Sequence, residues 1–187
     1  MAHANRPSPE RAFYAAPARW LHWSVALLVL LVIPAGLVMV RLPSGAAQNQ
    51  LFDFHRSVGI AILALAIVRV GVRVLYRPPG RPANMPTWMW AAAEAVHYAL
   101  YALIFVMPIL GWLASSSFGA PVYFFGLFEL PALVGKDEAL SKLTGTAHVW
   151  LGFLMAGLVL LHMGAGLYHG IIRRDGVLSR MLPILSR

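Results

Sequence analysis

The chain has 187 residues, of which 59% are hydrophobic and 12% charged, with a mean hydropathy of +0.69; soluble domains carry about 25% charged residues, so this composition predicts a membrane protein. The absence of cysteine excludes disulfides, iron–sulfur clusters and thiolate metal sites, and leaves histidine, methionine and carboxylate to hold any cofactor. The formal charge of +8 is mostly arginine, which in so apolar a chain reflects membrane topology rather than a nucleic-acid partner.

Four apolar runs, each near the ~20 residues that cross a bilayer, nearly fill the chain. The first, near 20–40, reads WLHWSVALLVLLVIPAGLVMV and carries His22 near its start. It is too long for a signal peptide and lacks a small-residue cleavage site. The second, near 52–75, opens on His55, and the third, near 91–115, on His97. The fourth, near 147–172, has His148 at one end and His162 and His169 toward the other. Proline- and glycine-rich turns separate the runs, and Pro34 and Pro108 fall inside them, where neighbouring helices can satisfy the freed carbonyls. The expected fold is all-α: a single transmembrane domain over residues 1–187, built as a four-helix bundle.

Eleven of the fifteen basic residues fall on one side of these spans: Arg6, Arg11, Arg19, Arg69, Arg73, Arg77, Arg81, Arg173, Arg174, Arg180 and Arg187. Arg41, Arg56, Lys136 and Lys142 fall on the other, accompanied by acids. The positive-inside rule makes both termini cytoplasmic.

This topology gives each histidine a depth. His148 and His162 are fourteen residues apart, roughly 21 Å along a helix and nearly on one face. His22 can meet His162 at the inner level, and His55 can meet His148 at the outer level. Two stacked bis-histidine sites are what two b-type haems require, since paired imidazoles fill both axial positions and favour electron transfer. The simpler alternative for any one histidine is an interfacial polar side chain; four at matched depths argue against it, because intramembrane ionisable groups are costly. Zinc also binds histidine, but neither level offers a cysteine or an obvious third ligand. Gly36, Gly59, Gly111, Gly152 and Gly157 would admit a flat macrocycle or a close helix. The tryptophans read as interfacial anchors, and His3 sits in a polar tail.

The segments RWLHW, FHRSVGIAILALAIVRVGVR, HYALYALIFVMPILG, HVWLGFLMAGLVLLHMGAGLYH and RRDGVLSRMLP together resemble the bacterial cytochrome b561 family over almost the whole chain. The resemblance implies a bacterial inner-membrane protein with two b haems, ligated by His55 with His148 and by His22 with His162. In the family's superoxide oxidase branch, superoxide gives its electron on the periplasmic side and ubiquinone is reduced near the cytoplasmic side. Arg41, Arg56 and Lys142 would then steer the anion, with loop anchoring or snorkelling as their other reading. His169 matches a position near the quinone, where an imidazole can pass a proton to a quinone oxygen. His97 is either a further quinone contact or a competing haem ligand. Arg69 and Arg73 suit haem propionates or positive-inside anchoring, and Glu94 and Asp175 lie on the side where protons are needed. Where the superoxide oxidase pattern has a basic residue after the third span, this chain reads SSSFGAPVYFFG, which implies a weaker or differently built basic entrance. The second functional reading is a cytochrome b subunit passing electrons between quinone and a periplasmic hydrogenase, formate dehydrogenase or similar partner.

Overall fold

A computed structural model of the chain describes residues 13–82 and 85–185. Arg6, Arg11, Arg187 and His3 lie outside the described residues. Four helices carry the fold: α1 (Ala16–Met39), α2 (Ala46–Leu75), α3 (Thr87–Phe118) and α4 (Glu138–Leu167). All four are long and apolar enough to cross a membrane.

All four helices begin earlier than their apolar runs. α4 starts nine residues before the expected span because the Asp137 carboxylate caps it, accepting from the Leu140 amide at 2.9 Å, and capping supports a helix irrespective of hydrophobicity. α2 likewise takes in the polar stretch AAQNQ. His55 and His148 therefore stand about ten residues inside their helices rather than at their mouths. Between α3 and α4 lies a small antiparallel hairpin, β1 (Val122–Phe124) with β2 (Phe128–Leu130), in the register Val122↔Leu130 and Phe124↔Phe128. Strands of three residues leave too little alternation to be read from sequence.

With four spans the two ends of the bundle differ: one carries the hairpin, the other both terminal segments. At the latter the Tyr14 amide donates to the Arg180 carbonyl, and the Trp23 indole N–H to Met181. α4 passes into one wide π turn, Tyr168–Arg173, a deviation that often accompanies functional positions. The tightly packed core is a central belt of Val25, Val29, Val58, Ile62, Ala66, Leu103, Ile104 and Met155. On α4 its one member, Met155, lies midway between His148 and His162, so the packing is densest between the two histidine levels.

Candidate functional site

The four expected histidines come together as two pairs. His55 and His148 face each other across the hairpin end with ring centroids 6.0 Å apart and planes at 72°. His22 and His162 do the same at the other end, at 6.0 Å and 87°. Two imidazoles bound to one metal through nitrogens at about 2 Å would have centroids roughly 6.3 Å apart, so both pairs stand at the separation a shared metal needs.

The hairpin-end pair is seated in two matching ways. The His55 Nδ1–H donates to the Val32 carbonyl at 3.0 Å, and the His148 Nδ1–H to the Met107 carbonyl at 3.0 Å. A carbonyl can only accept, so each Nδ1 carries the proton and each Nε2 keeps its lone pair for a ligand. Four residues beyond each carbonyl is a glycine, and a proline lies between: Val32, Pro34, Gly36 on α1 and Met107, Pro108, Gly111 on α3. A Cβ on Gly36 would come within 2.8 Å of the His55 ring, and one on Gly111 within 3.1 Å of the His148 ring. Gly36 is thus required by close approach and Gly111 is tightly approached, whereas Gly59 and Gly157 face open space. A cavity of about 250 Å³ includes both imidazoles in its wall, with Gly59, Gly111 and Gly145 as small lining residues and Val122 of the hairpin closing one side. The donor set fits a flat metallocycle ligated from both faces. Among the described residues no group of three or more His, Asp or Glu converges as a metal site.

The second level holds a third ring. His97 lies 5.2 Å from His162, closer than His22 does, and is partly open to the surface. Arg69 donates to the Tyr101 hydroxyl at 2.9 Å and to the Ala18 carbonyl, and both Arg69 and Arg73 stand over the Tyr101 ring at 5.4 Å. Neither arginine has a carboxylate partner among the described residues, and they line a water-sized cavity with Tyr14 and Tyr76.

His169 is buried in the π turn, where its Nδ1 bonds the Asp175 carboxylate at 2.7 Å. Arg173 Nε meets the same oxygen at 3.0 Å, and the Val177 amide donates to the other at 3.3 Å. Burial alone would raise the Asp175 carboxyl, but the hydrogen bonds from His169 and Val177 and the charges of His169 and Arg173 outweigh it and hold the group below the ordinary carboxylate range.

Of the expected anion-steering residues, Arg56 lines the hairpin-end cavity beside His55, loosely paired with Asp53 at 3.4 Å and with the Pro121 carbonyl at 3.4 Å. Arg41 folds back on the Leu37 carbonyl, and Lys142 is exposed on α4, six residues before His148. Ser57, Tyr101 and the two carbonyl acceptors had no signal in the sequence, since each matters only through a partner on another helix.

Residues 14–183 match the family model described as prokaryotic cytochrome b561. The chain belongs to the prokaryotic cytochrome b561 family. It is 34% identical to cytochrome b561 homolog 2 of Escherichia coli K12, over 94% of this chain and 93% of that one. It is 27% identical to cytochrome b561 homolog 1 of the same organism, over 88% and 93%. A probable superoxide oxidase CybB of Yersinia pestis is 28% identical, over 87% of this chain and 92% of its own length. As a cytochrome b561, the protein is a multi-pass inner-membrane electron-transfer protein, and the family implies b-type haem. The all-α membrane bundle expected from composition and apolar runs is the observed fold.

Proposed function

We propose that this cytochrome b561 is a superoxide:ubiquinone oxidoreductase with two b haems, its hairpin end periplasmic and both termini cytoplasmic. The observation that carries the reading is the pairing of His55 with His148 and of His22 with His162 at one common separation, 6.0 Å. Each haem, when bound, supplies a one-electron Fe(III)/Fe(II) carrier. Overall, two superoxide anions lose one electron each to become dioxygen, and one ubiquinone takes two electrons and two protons to become ubiquinol.

At the hairpin end, Val32 and Met107 hold the rings so that Nε2 of His55 and His148 are the donors to iron. Arg56, in the cavity wall beside His55, attracts the superoxide anion, with Arg41 and Lys142 adding to the positive field further out. At the other end, His22 and His162 are the ligands. Arg69 and Arg73, turned together over Tyr101, hold the propionate carboxylates. His169 presents Nε2 while Asp175 holds Nδ1, an arrangement suited to handing a proton to a quinone oxygen. His97, beside His162, borders the same quinone region. The probable superoxide oxidase CybB among the relatives supports the choice of donor.

The test is made on purified protein: a reduced-minus-oxidised spectrum with a haem count, then stopped-flow reduction by superoxide and reoxidation by ubiquinone. Two haems per chain, reduced by superoxide far faster than in an unrelated b-type cytochrome, are expected. Reduction no faster than in that control sinks the oxidase reading and leaves the electron-relay subunit.

A further inference from the structure

The hairpin ends in a two-residue turn whose backbone is demanding. The Leu127 amide donates to the Phe124 carbonyl at 3.0 Å, and both intervening residues have positive φ, Phe125 at 50° and Gly126 at 72°. Such mirror-image turns match the twist of a hairpin and favour Asn-Gly or Gly-Gly at the two central positions. Glycine is where this rule puts it. Phenylalanine is not, because a bulky side chain in the left-handed region is a conformational outlier, and outliers of this kind persist where the surroundings enforce them and the side chain serves a purpose. Ser57, almost fully buried, does the enforcing: its Oγ accepts from the Phe125 amide at 2.9 Å and its hydroxyl donates to the Tyr123 carbonyl at 2.8 Å. The Phe125 side chain is nevertheless 50% exposed, Leu127 76% and Phe128 57%.

The depth of this tip identifies what covers it. Ser57 stands where α2 changes character: the preceding turns hold Gln48, Asn49, Gln50, Asp53 and Arg56, and residues 57–68 contain no charge. The tip is therefore pinned at the polar-to-apolar border of a spanning helix, some 16 Å inward from the α2 start at Ala46. From Ser117 to Gly135 the connection bears a single charge, Glu129. On α4, exposed Trp150 stands two residues from His148, in a position suited to the aromatic belt of a bilayer interface. We propose that the hairpin tip, Phe125, Leu127 and Phe128, is seated in the headgroup-to-acyl boundary of the bilayer and anchors the hairpin there. Because Val122 of the same hairpin lines the histidine cavity, the lipid contact fixes one wall of that cavity. The inference is independent of the electron donor and of the orientation of the bundle.

The chain has no cysteine, so a nitroxide placed through Leu127→Cys reports from one site. With the full chain in phosphatidylcholine–phosphatidylglycerol vesicles, collision of the label with oxygen and with a water-soluble nickel chelate is measured by electron paramagnetic resonance. Labels at Asn49→Cys, on the polar start of α2, and at Leu154→Cys, exposed in the middle of α4, give the aqueous and acyl references. Leu127 is expected to favour oxygen over nickel, between the two references. A reading equal to that at Asn49, or a label shielded from both reagents as under a protein partner or second copy, overturns the proposal. Adding Phe125→Asn, which suits the left-handed turn but removes the apolar group, is expected to raise nickel collision at Leu127 several-fold without changing the gel-filtration profile. No change in collision overturns the assignment of Phe125 as an anchor.

Discussion

His55 lies against Gly36 so closely that the glycine has no room for a side chain, and His148 makes a looser contact of the same kind with Gly111. Gly36→Ala would put a methyl group 2.8 Å from the His55 ring, inside van der Waals contact, and so displace the imidazole or the helix. The expected result is loss of the hairpin-end haem with retention of the other, read as a halved pyridine-haemochrome count. Gly111→Ala, at 3.1 Å, can be relieved by a shift of a few tenths of an ångström. It is expected to keep both haems with a weaker hairpin-end site, released first in a thermal titration.

The three rings at the terminal end make a sharper test of ligand choice. His162→Ala and His22→Ala are each expected to remove the haem at that end, and His148→Ala the one at the hairpin end. His97→Ala is expected to leave two haems with low-spin bis-imidazole spectra, and to slow reoxidation by ubiquinone. Loss of a haem in the His97 variant would make His97, at 5.2 Å from His162, the true partner.

The two levels differ electrostatically. Imidazoles whose Nδ1–H is held by a carbonyl are more basic ligands and favour oxidised iron, and this describes His55 and His148. At the other level no carbonyl accepts from the His22 or His162 ring among the described residues, so those imidazoles are the less basic ligands and favour the reduced state. The hairpin-end haem is expected to titrate at the lower potential, by about 60 mV or more, roughly a tenfold bias for one electron. Spectroelectrochemical titration of the His148→Ala and His162→Ala proteins assigns each midpoint, and a reversed order would contradict the argument.

Asp175 supplies a pH dependence. Its carboxyl is held below the ordinary value chiefly against the pull of burial, through His169, Val177 and Arg173. A group depressed in the folded state stabilises it above the unfolded value of about 3.9, and that contribution is lost as pH falls through the lower folded value. Thermal unfolding in detergent is expected to show the native protein more stable than Asp175→Asn at pH 7 and pH 5, with the gap closing below pH ~4. A gap unchanged to pH ~3 would mean the carboxylate does not contribute through its charge.

Arg56 tests anion entry. Arg56→Gln is expected to lower the second-order rate of reduction by superoxide about tenfold at low salt, and to flatten its dependence on ionic strength, with haem content unchanged. Lys142→Gln, further from the cavity, is expected to have a smaller effect.

Much of this arrangement is legible in the sequence because a helix converts spacing into position. Fourteen residues between His148 and His162 set two levels on one face, and α1 and α2 bring His22 and His55 to those same levels. The helix starts are not legible from hydropathy, since α4 begins under the Asp137 cap and α2 begins in polar residues of which Gln48 donates to the Met39 and Leu42 carbonyls. Nor is the π turn at Tyr168–Arg173, which alters the register that a simple seven-residue step from His162 assumes for His169. Gly36 and Gly111 are visible as small residues, but only the structure separates them from Gly59 and Gly157 by what stands opposite. Asp175 is visible as an acid on the terminal side, and its bond to His169 requires the chain to turn back at Arg174 and Gly176, both with positive φ.

The seats for His55 and His148 are made of main-chain carbonyls and missing side chains. Orientation set in that manner asks almost nothing of residue identity on α1 and α3 beyond a glycine and a helical turn. Those helices are thereby free to drift in sequence at their lipid-facing positions, so that the tolerance of this scaffold to substitution and the rigidity of its inner geometry have one origin.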